Sequence, residues 1–211
     1  MSNESRNHHN HIFSAEQILG APVVGKHVVL GNPVGEWPAH CEVLIAAAGC
    51  FWGVEKLLWQ QPGVVTTLPG YAGGHTEQPD YRSVCSGLTG HTESVLVAFD
   101  PAETSFDQLL RVVLEAHDPT QGDRQGNDIG PQYRSAVFPL DDDQMAVTTA
   151  LLANYGQRLS RAGFGPVTTE VTPLGQTPTG SFWAAEEFHR GYLRKNPQGY
   201  CPIHATGISC G

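Results

Sequence analysis

The segment Gly49-Cys50-Phe51-Trp52-Gly53-Val54-Glu55 puts a thiol at the junction of two patterns. Before it, Val43 to Gly49 is a continuous apolar run closed by glycine, which reads as a buried strand. After it, Val54, Leu57 and Leu58 recur at helical spacing as far as Trp59, and Pro62-Gly63 ends the pattern. A cysteine at such a turn faces the unpaired amides and the positive dipole end of the helix, both of which favour the thiolate. A free thiol of pKa ~8.5 is only a few per cent ionised at pH 7, so this position is expected to raise the reactive fraction. The flanking glycines let a ligand approach the backbone, and Phe51 and Trp52 offer an apolar wall beside the sulfur. The competing reading is a buried cysteine at a Gly-flanked packing point.

The other cysteines stand at 41, 85, 201 and 210. An odd total, so widely spread, does not resemble the dense framework of a small secreted domain. Cys201 and Cys210 lie in a tail rich in turn formers, and thiols on a mobile tail suit disulfide exchange, where each attack must bring the sulfur into line with its target. Glu93, after Gly90-His91-Thr92 at the threshold of a strand, is either a proton donor or a surface carboxylate. Asp128 and Tyr133 occupy a polar loop from Gln125 to Arg134, too long for a simple turn. Tyr81, in Pro79-Asp80-Tyr81-Arg82, either serves a site through its hydroxyl or packs on the core.

The elements that would position these groups interleave. A Gly-rich loop runs through Gly70 to Gly74, and Ser94 to Asp100 alternates as a strand. Ser105 caps a helix with Gln108 completing a capping box, and Phe106, Leu109, Leu110, Val113 and Leu114 form its apolar face. Ser135 to Leu140 reads as a strand. Asp141, Asp142 and Asp143 suit the start of a helix reaching Arg161, with Gly163 as its stop. Val167 to Val171 reads as a strand and Ala184 to Arg194 as a last helix before Pro197. This order favours an α+β domain, a two-layer α/β sandwich around a mixed sheet. Gly and Pro make up 39 of 211 residues, so long ordered loops are expected. Residues 1–38 read as an N-terminal extension, 39–195 as the catalytic α/β domain and 196–211 as a coil-rich tail; no internal repeat is visible.

Composition narrows the function. The net charge of −9 repels polyphosphates, which argues against nucleic-acid binding. The charge-free stretch from Val43 to Val54 is shorter than the roughly 18 to 20 residues of a membrane-spanning helix. Glu4, Arg6 and Glu16 leave no apolar segment of secretion-signal type, so a cytoplasmic location is expected. His8, His9 and His11 are read as solvated residues of a polar chain end.

Four separated motifs give the chain a family likeness: Gly49-Cys50-Phe51-Trp52-Gly53-Val54-Glu55; Gly87-Leu88-Thr89-Gly90-His91-Thr92-Glu93; Arg124-Gln125-Gly126-Asn127-Asp128 with Gln132-Tyr133-Arg134-Ser135; and Gly199-Tyr200-Cys201. Together, over residues 39–211, they resemble peptide methionine sulfoxide reductase of the A type. The resemblance implies a ferredoxin-like core and no cofactor or metal. It implies Cys50 as nucleophile, Phe51 and Trp52 as the wall receiving the substrate methyl, and Glu93 as the acid that protonates the departing oxygen. By the same likeness Tyr81 and Tyr133 hydrogen-bond that oxygen, Asp128 supports the site, Cys201 resolves the oxidised nucleophile and Cys210 relays the disulfide outward. The partners implied are a thioredoxin-like reductant and either free methionine sulfoxide or oxidised proteins. Cys41 and Cys85 match no catalytic position and are read as packing or bystander thiols. Asp80 stands where the family often has Thr, and the tail between Cys201 and Cys210 is less rich in glycine than in many members.

The chemistry explains these residue types. The sulfur of a sulfoxide accepts a nucleophile only as its oxygen gains a proton, so a thiolate and a proton donor must flank one small pocket. Glu93 must therefore be neutral, which desolvation beside Phe51 and Trp52 would bring about. Two rival readings use the same residues. A cysteine hydrolase would pair Cys50 with His91, His117 or His189 and turn over without a reductant. A Cys/His metal-binding module lacks the close Cys-x-x-Cys spacing that marks zinc sites.

Overall fold

A computed structural model describes residues 12–200 and 204–211. The elements in chain order are α1 (Ala15–Ile18), β1 (Glu42–Ala48), α2 (Phe51–Leu58), β2 (Val64–Ala72), α3 (Tyr81–Cys85), β3 (Thr92–Phe99) and α4 (Phe106–Glu115). Then follow β4 (Arg124–Gln125), β5 (Asp128–Ile129), β6 (Ser135–Val137), α5 (Asp142–Arg161), β7 (Glu170–Val171), β8 (Trp183–Ala184) and α6 (Tyr192–Lys195). The main sheet runs β7-β6-β1-β3-β2-β8, and β4 and β5 form a separate hairpin. Its inner four strands have the order and antiparallel pairing of a ferredoxin-like βαββαβ unit, built from β1, α2, β2, β3, α4 and β6. The parallel β6–β7 pair makes the sheet mixed. The expected two-layer α+β architecture is the one observed.

Both faces of the sheet are covered, which is why β1 reads as an unbroken apolar run. Leu44, Ala46 and Ala48 face α2, α4 and α5, whose Val54, Leu58, Leu110, Leu151 and Tyr155 complete one core. Val43, Ile45 and Ala47 face a second core closed by Ile18, Val34, Leu174 and Phe182, with Phe13 and Trp37 packed against it. The N-terminal segment from Phe13 onward is therefore folded onto the sheet. Phe182 N–H donates to the Ile18 carbonyl and Gly20 N–H to that of Phe182.

Three expectations about elements need correction. Gly70 to Ala72 is strand and not loop: β2 begins at Val64 and pairs with β3 along its length. No helix spans Ala184 to Arg194; Trp183 and Ala184 pair with Tyr71 and Gly70, and Gly191 (φ 62°) starts only the short α6. The strands expected at 135–140 and 167–171 shrink to Ser135–Val137 and Glu170–Val171. The cap of α4 also departs in detail, since Gln108 Oε1 accepts from the Ser105 hydroxyl rather than closing a capping box on the backbone. Helix α5 begins as expected, with Asp141 accepting from Gln144 N–H at 2.8 Å. Among the described residues, no helix is long and apolar enough to cross a membrane.

Candidate active site

Cys50 is the N-cap of α2, directly beyond the end of β1. Gly49 turns the chain there at φ 86°, and a Cβ on it would come within 2.8 Å of the Gln125 side chain. The residue is buried, at 7% exposed. The nearby Trp52 and Gly53 amides lower its pKa, but burial and then the Glu93 carboxyl raise it by more, well above the ordinary thiol value. The expected gain in resting thiolate is thus overturned. Two helix amides are outweighed by desolvation, and Cys50 rests as a thiol.

Glu93 lies in β3, cross-strand from Tyr71 of β2, and is 1% exposed. Its Oε2 accepts from the Phe51 N–H at 3.0 Å, which puts the carboxyl one peptide unit from Cys50. Burial pushes its pKa up to about 8, against the pull of that amide, and Asp128 adds to the rise. Glu93 is therefore mostly protonated at pH 7. The β3 threshold also places Tyr133: the Thr92 hydroxyl donates to the Gln132 carbonyl at 2.9 Å, pinning the turn that carries the phenol.

Phe51 is buried at the centre of an aromatic cluster. Its ring lies 5.3 Å from that of His189, 5.9 Å from Tyr71, 6.3 Å from Tyr81 and 6.4 Å from Trp52. Trp52 is half-buried, stacks on Tyr192 at 3.8 Å and donates its indole N–H to His189 Nδ1 at 3.2 Å. The Tyr81 and Tyr133 phenols are each raised in pKa, chiefly by burial and then by Glu93, so both remain O–H donors. Asp128 Oδ1 accepts from the Tyr200 hydroxyl at 3.1 Å, and its buried Oδ2 has no hydrogen-bond partner among the described residues.

Cys50, Phe51, Trp52, Tyr81, Glu93 and Tyr133 are thus brought together, with Asp128 at the tail side of the group. Cys201 falls outside the described residues, as do His8, His9 and His11. Its described neighbours approach the site: Tyr200 through Asp128, and His204 through an imidazole that lies over Gly126, where any Cβ would collide with it. Cys210 is elsewhere, fully buried, its N–H donating to Glu115 Oε1 at 2.6 Å. Burial and Glu115 push its thiol up to about 12. Residues 204–211 are docked rather than mobile: the Tyr155 hydroxyl bonds Thr206 at 2.9 Å and the Ile208 carbonyl at 3.1 Å, and Arg111 donates to the Gly211 carbonyl.

Sequence reasoning missed several neighbours. Cys85, half-buried, lies beside the Tyr81 and Tyr133 phenols, which the sequence did not reveal; Cys41 is wholly buried in the second core. Glu186, His189 and Tyr192 come from the segment misread as a helix. An acidic, aromatic-rich stretch interrupted by Gly191 was the available signal.

The hydrolase reading loses its base. His91 engages the Gly74 N–H and the Thr76 carbonyl, His117 the Val113 carbonyl and the Ser135 hydroxyl, and His189 accepts from Trp52. None is paired with Cys50. Among the described residues, no group of three or more His, Cys, Asp or Glu side chains is placed to hold a metal ion. What the arrangement can do is hold a small polar group between a thiol and three O–H donors, with a methyl-sized apolar surface at its side.

Comparison with known proteins gives the same picture. The family model described as peptide methionine sulfoxide reductase matches residues 42–209. A peptide methionine sulfoxide reductase MsrA of Streptomyces griseus is 52% identical over 189 residues, 89% of this chain and 84% of its own length. That of Corynebacterium kroppenstedtii is 48% identical over 196 residues, 92% of this chain and 88% of its own. The structure of methionine sulfoxide reductase A of Corynebacterium diphtheriae superposes with a TM-score of 0.81 at 43% identity, covering 95% of this chain and 98% of that one. Mxr1 of Saccharomyces cerevisiae in reduced form gives 0.67 at 31% identity, over 80% of this chain and 93% of that one.

Proposed function

The chain belongs to the peptide methionine sulfoxide reductase family, and from that premise we propose the cycle by which its residues reduce methionine S-sulfoxide. The observation that carries the reading is a carboxylic acid kept neutral by burial and hydrogen-bonded to the amide that directly follows Cys50. The sulfoxide oxygen takes hydrogen bonds from Tyr81, Tyr133 and Glu93, and the methyl lies against Phe51 and Trp52. As Glu93 protonates the oxygen, the substrate sulfur becomes electrophilic and Cys50 attacks it, losing its own proton. The attack forms a bond between the two sulfurs; as the hydroxyl passes to Cys50, that bond and the sulfur–oxygen bond of the substrate break and a Cys50 S–O bond forms. Methionine leaves reduced by two electrons and Cys50 becomes a sulfenic acid, with no net uptake of protons. A resting thiol satisfies this balance as well as a thiolate does.

Cys201 then attacks the sulfenic sulfur, releasing water and forming a Cys50–Cys201 disulfide. Exchange with Cys210 passes the disulfide on, and a thioredoxin-like dithiol reduces it. The contact of Tyr200 with Asp128 supports a resolving thiol next in sequence to Tyr200. The buried setting of Cys210 supports a relay that waits for the tail to undock. The division into an extension (1–38), a catalytic domain (39–195) and a recycling tail belongs to the same proposal. So does a cytoplasmic location, where the cysteines would be kept reduced.

The test is mass analysis of reduced protein after exposure to each sulfoxide epimer without reductant. The S epimer should yield a fixed, small number of methionines per chain, with a Cys50–Cys201 disulfide first and a Cys201–Cys210 disulfide once the exchange has run. In Cys201→Ser, a single methionine and an oxidised Cys50 are expected. A disulfide that excludes Cys201, or continued turnover without reductant, would refute the cycle.

A further inference from the structure

We propose that Glu186 is a positioning residue that fixes the Tyr81 phenol in the sulfoxide site by bridging α3 to β2. Tyr81 is the first residue of a five-residue helix, too short to hold its own geometry in isolation. Asp80 caps that helix by accepting from Ser83 N–H at 2.7 Å, but the cap is exposed and leaves the Tyr81 amide unbonded. Glu186 supplies the missing acceptor: Oε1 takes the Tyr81 N–H at 2.8 Å, and Oε2 takes the hydroxyl of buried Tyr71 at 2.9 Å. Tyr71 lies in β2 opposite Glu93, so the bridge ties the helix carrying one oxygen-binding phenol to the strand pair carrying the acid.

The bridging residue is itself anchored. Ala185 N–H donates to the Pro69 carbonyl at 2.9 Å, and His189 N–H to the Glu186 carbonyl at 2.9 Å. Tyr81 and Tyr71 hydrogen bonds hold the carboxyl below the usual carboxylate range although it is partly buried, so it is ionised at pH 7 and both bonds are charge-assisted. Its neighbour His189 lies 4.4 Å from the Tyr81 ring and also receives the Trp52 indole N–H. The Glu186–His189 turn therefore faces both the phenol and the methyl wall. Glu186 is on the solvent side, so it acts on the substrate through the groups it holds, Tyr81 first among them.

This inference rests on the role given to Tyr81 above, and a double-mutant cycle separates the two. Single-turnover reduction of methionine S-sulfoxide by pre-reduced protein is measured for wild type, Glu186→Ala, Glu186→Gln, Tyr81→Phe and Tyr81→Phe/Glu186→Ala, with melting curves for each. Glu186→Ala should slow the step about tenfold, as expected for a displaced binding group. Glu186→Gln should stay within about twofold of wild type, because its carbonyl can accept from Tyr81 N–H while its amide donates to a turned Tyr71 hydroxyl. In the Tyr81→Phe background, Glu186→Ala should cost nothing further. A full additional loss there, or a Glu186→Ala rate equal to wild type, overturns the proposal and leaves the cycle standing. A Tyr81→Phe rate equal to wild type removes Tyr81 from the cycle and this inference with it. Should the alanine variant fail to fold, Glu186→Asp, which keeps the charge but shortens the reach, takes its place under the same criteria.

Discussion

The acid at position 93 is what separates a reductase pocket from a buried cysteine. An ordinary surface carboxyl would be ionised at pH 7 and would repel both a thiolate and the sulfoxide oxygen. Burial reverses this by lifting its pKa to about 8, and the amide of Phe51 limits how far the rise goes. Glu93 loses its proton above that value, so the single-turnover rate of the wild type should fall as pH rises through about 8. Glu93→Gln keeps the shape and can still donate a hydrogen bond but cannot transfer a proton. It is expected to slow the chemical step by about 10² to 10⁴, the usual range for general acid catalysis, with little change in substrate affinity. Rapid-quench measurement across pH checks both statements. A variant as fast as wild type, or one that keeps the alkaline limb near pH 8, would place the proton donor elsewhere.

At the scale of elements, the nucleophile owes its position to the sharp turn between β1 and α2. Gly49 is held at φ 86° with the Gln125 side chain where a Cβ would go, so Gly49→Ala combines backbone strain with a clash. We expect a loss of about 1 to 3 kcal/mol in urea unfolding together with a slower first turnover, because the strain is relieved only by moving Cys50. This turn was legible in the sequence, since an apolar run, a glycine and a helical repeat are local signals. So were β3, α4 and α5, each with its own periodicity or cap. Strand β2 was not, because Thr66, Thr67, Pro69 and Gly70 lack strand-like apolar alternation. Its burial is set by β3 and β8 on either side and by a bond from the Thr67 hydroxyl to Glu55 at 3.4 Å. The segment after Trp183 was misread for a related reason: its acidic and aromatic residues are spaced as in an amphipathic helix, yet they serve Tyr71, Tyr81 and Trp52, more than 100 positions away. Motif positions were readable one by one, and the side chains that hold them were not.

Across the whole molecule, buried titratable groups of opposite kinds set a stability optimum. Burial lowers His27 and His117 from 6.5 to about 4, and lowers His91 and His189 as well. Such groups contribute stability that is present above 6.5 and is lost as pH falls toward their folded values, because the unfolded chain binds the protons. Burial raises Glu55 and Glu93 from 4.5 to about 8. Their contribution is full below 4.5 and is lost as pH rises through 8, because here the folded state binds the protons. Between 4.5 and 6.5 the two sets oppose each other, and above 6.5 the carboxyls dominate. The melting temperature should therefore peak near pH 6.5, with a loss of about 2 kcal/mol by pH 8, of which the two carboxyls are the source. The net charge of −9 offers a competing cause, since surface repulsion also grows with pH. The two separate on salt and on mutation: 0.5 M salt screens surface charges to within a few Å but not groups as buried as Glu55 and Glu93. Calorimetry at pH 6.5 and 8 should show the alkaline loss surviving salt in the wild type and disappearing in Glu55→Gln/Glu93→Gln. Loss that vanishes with salt alone would assign the effect to the surface and not to the two buried carboxyls.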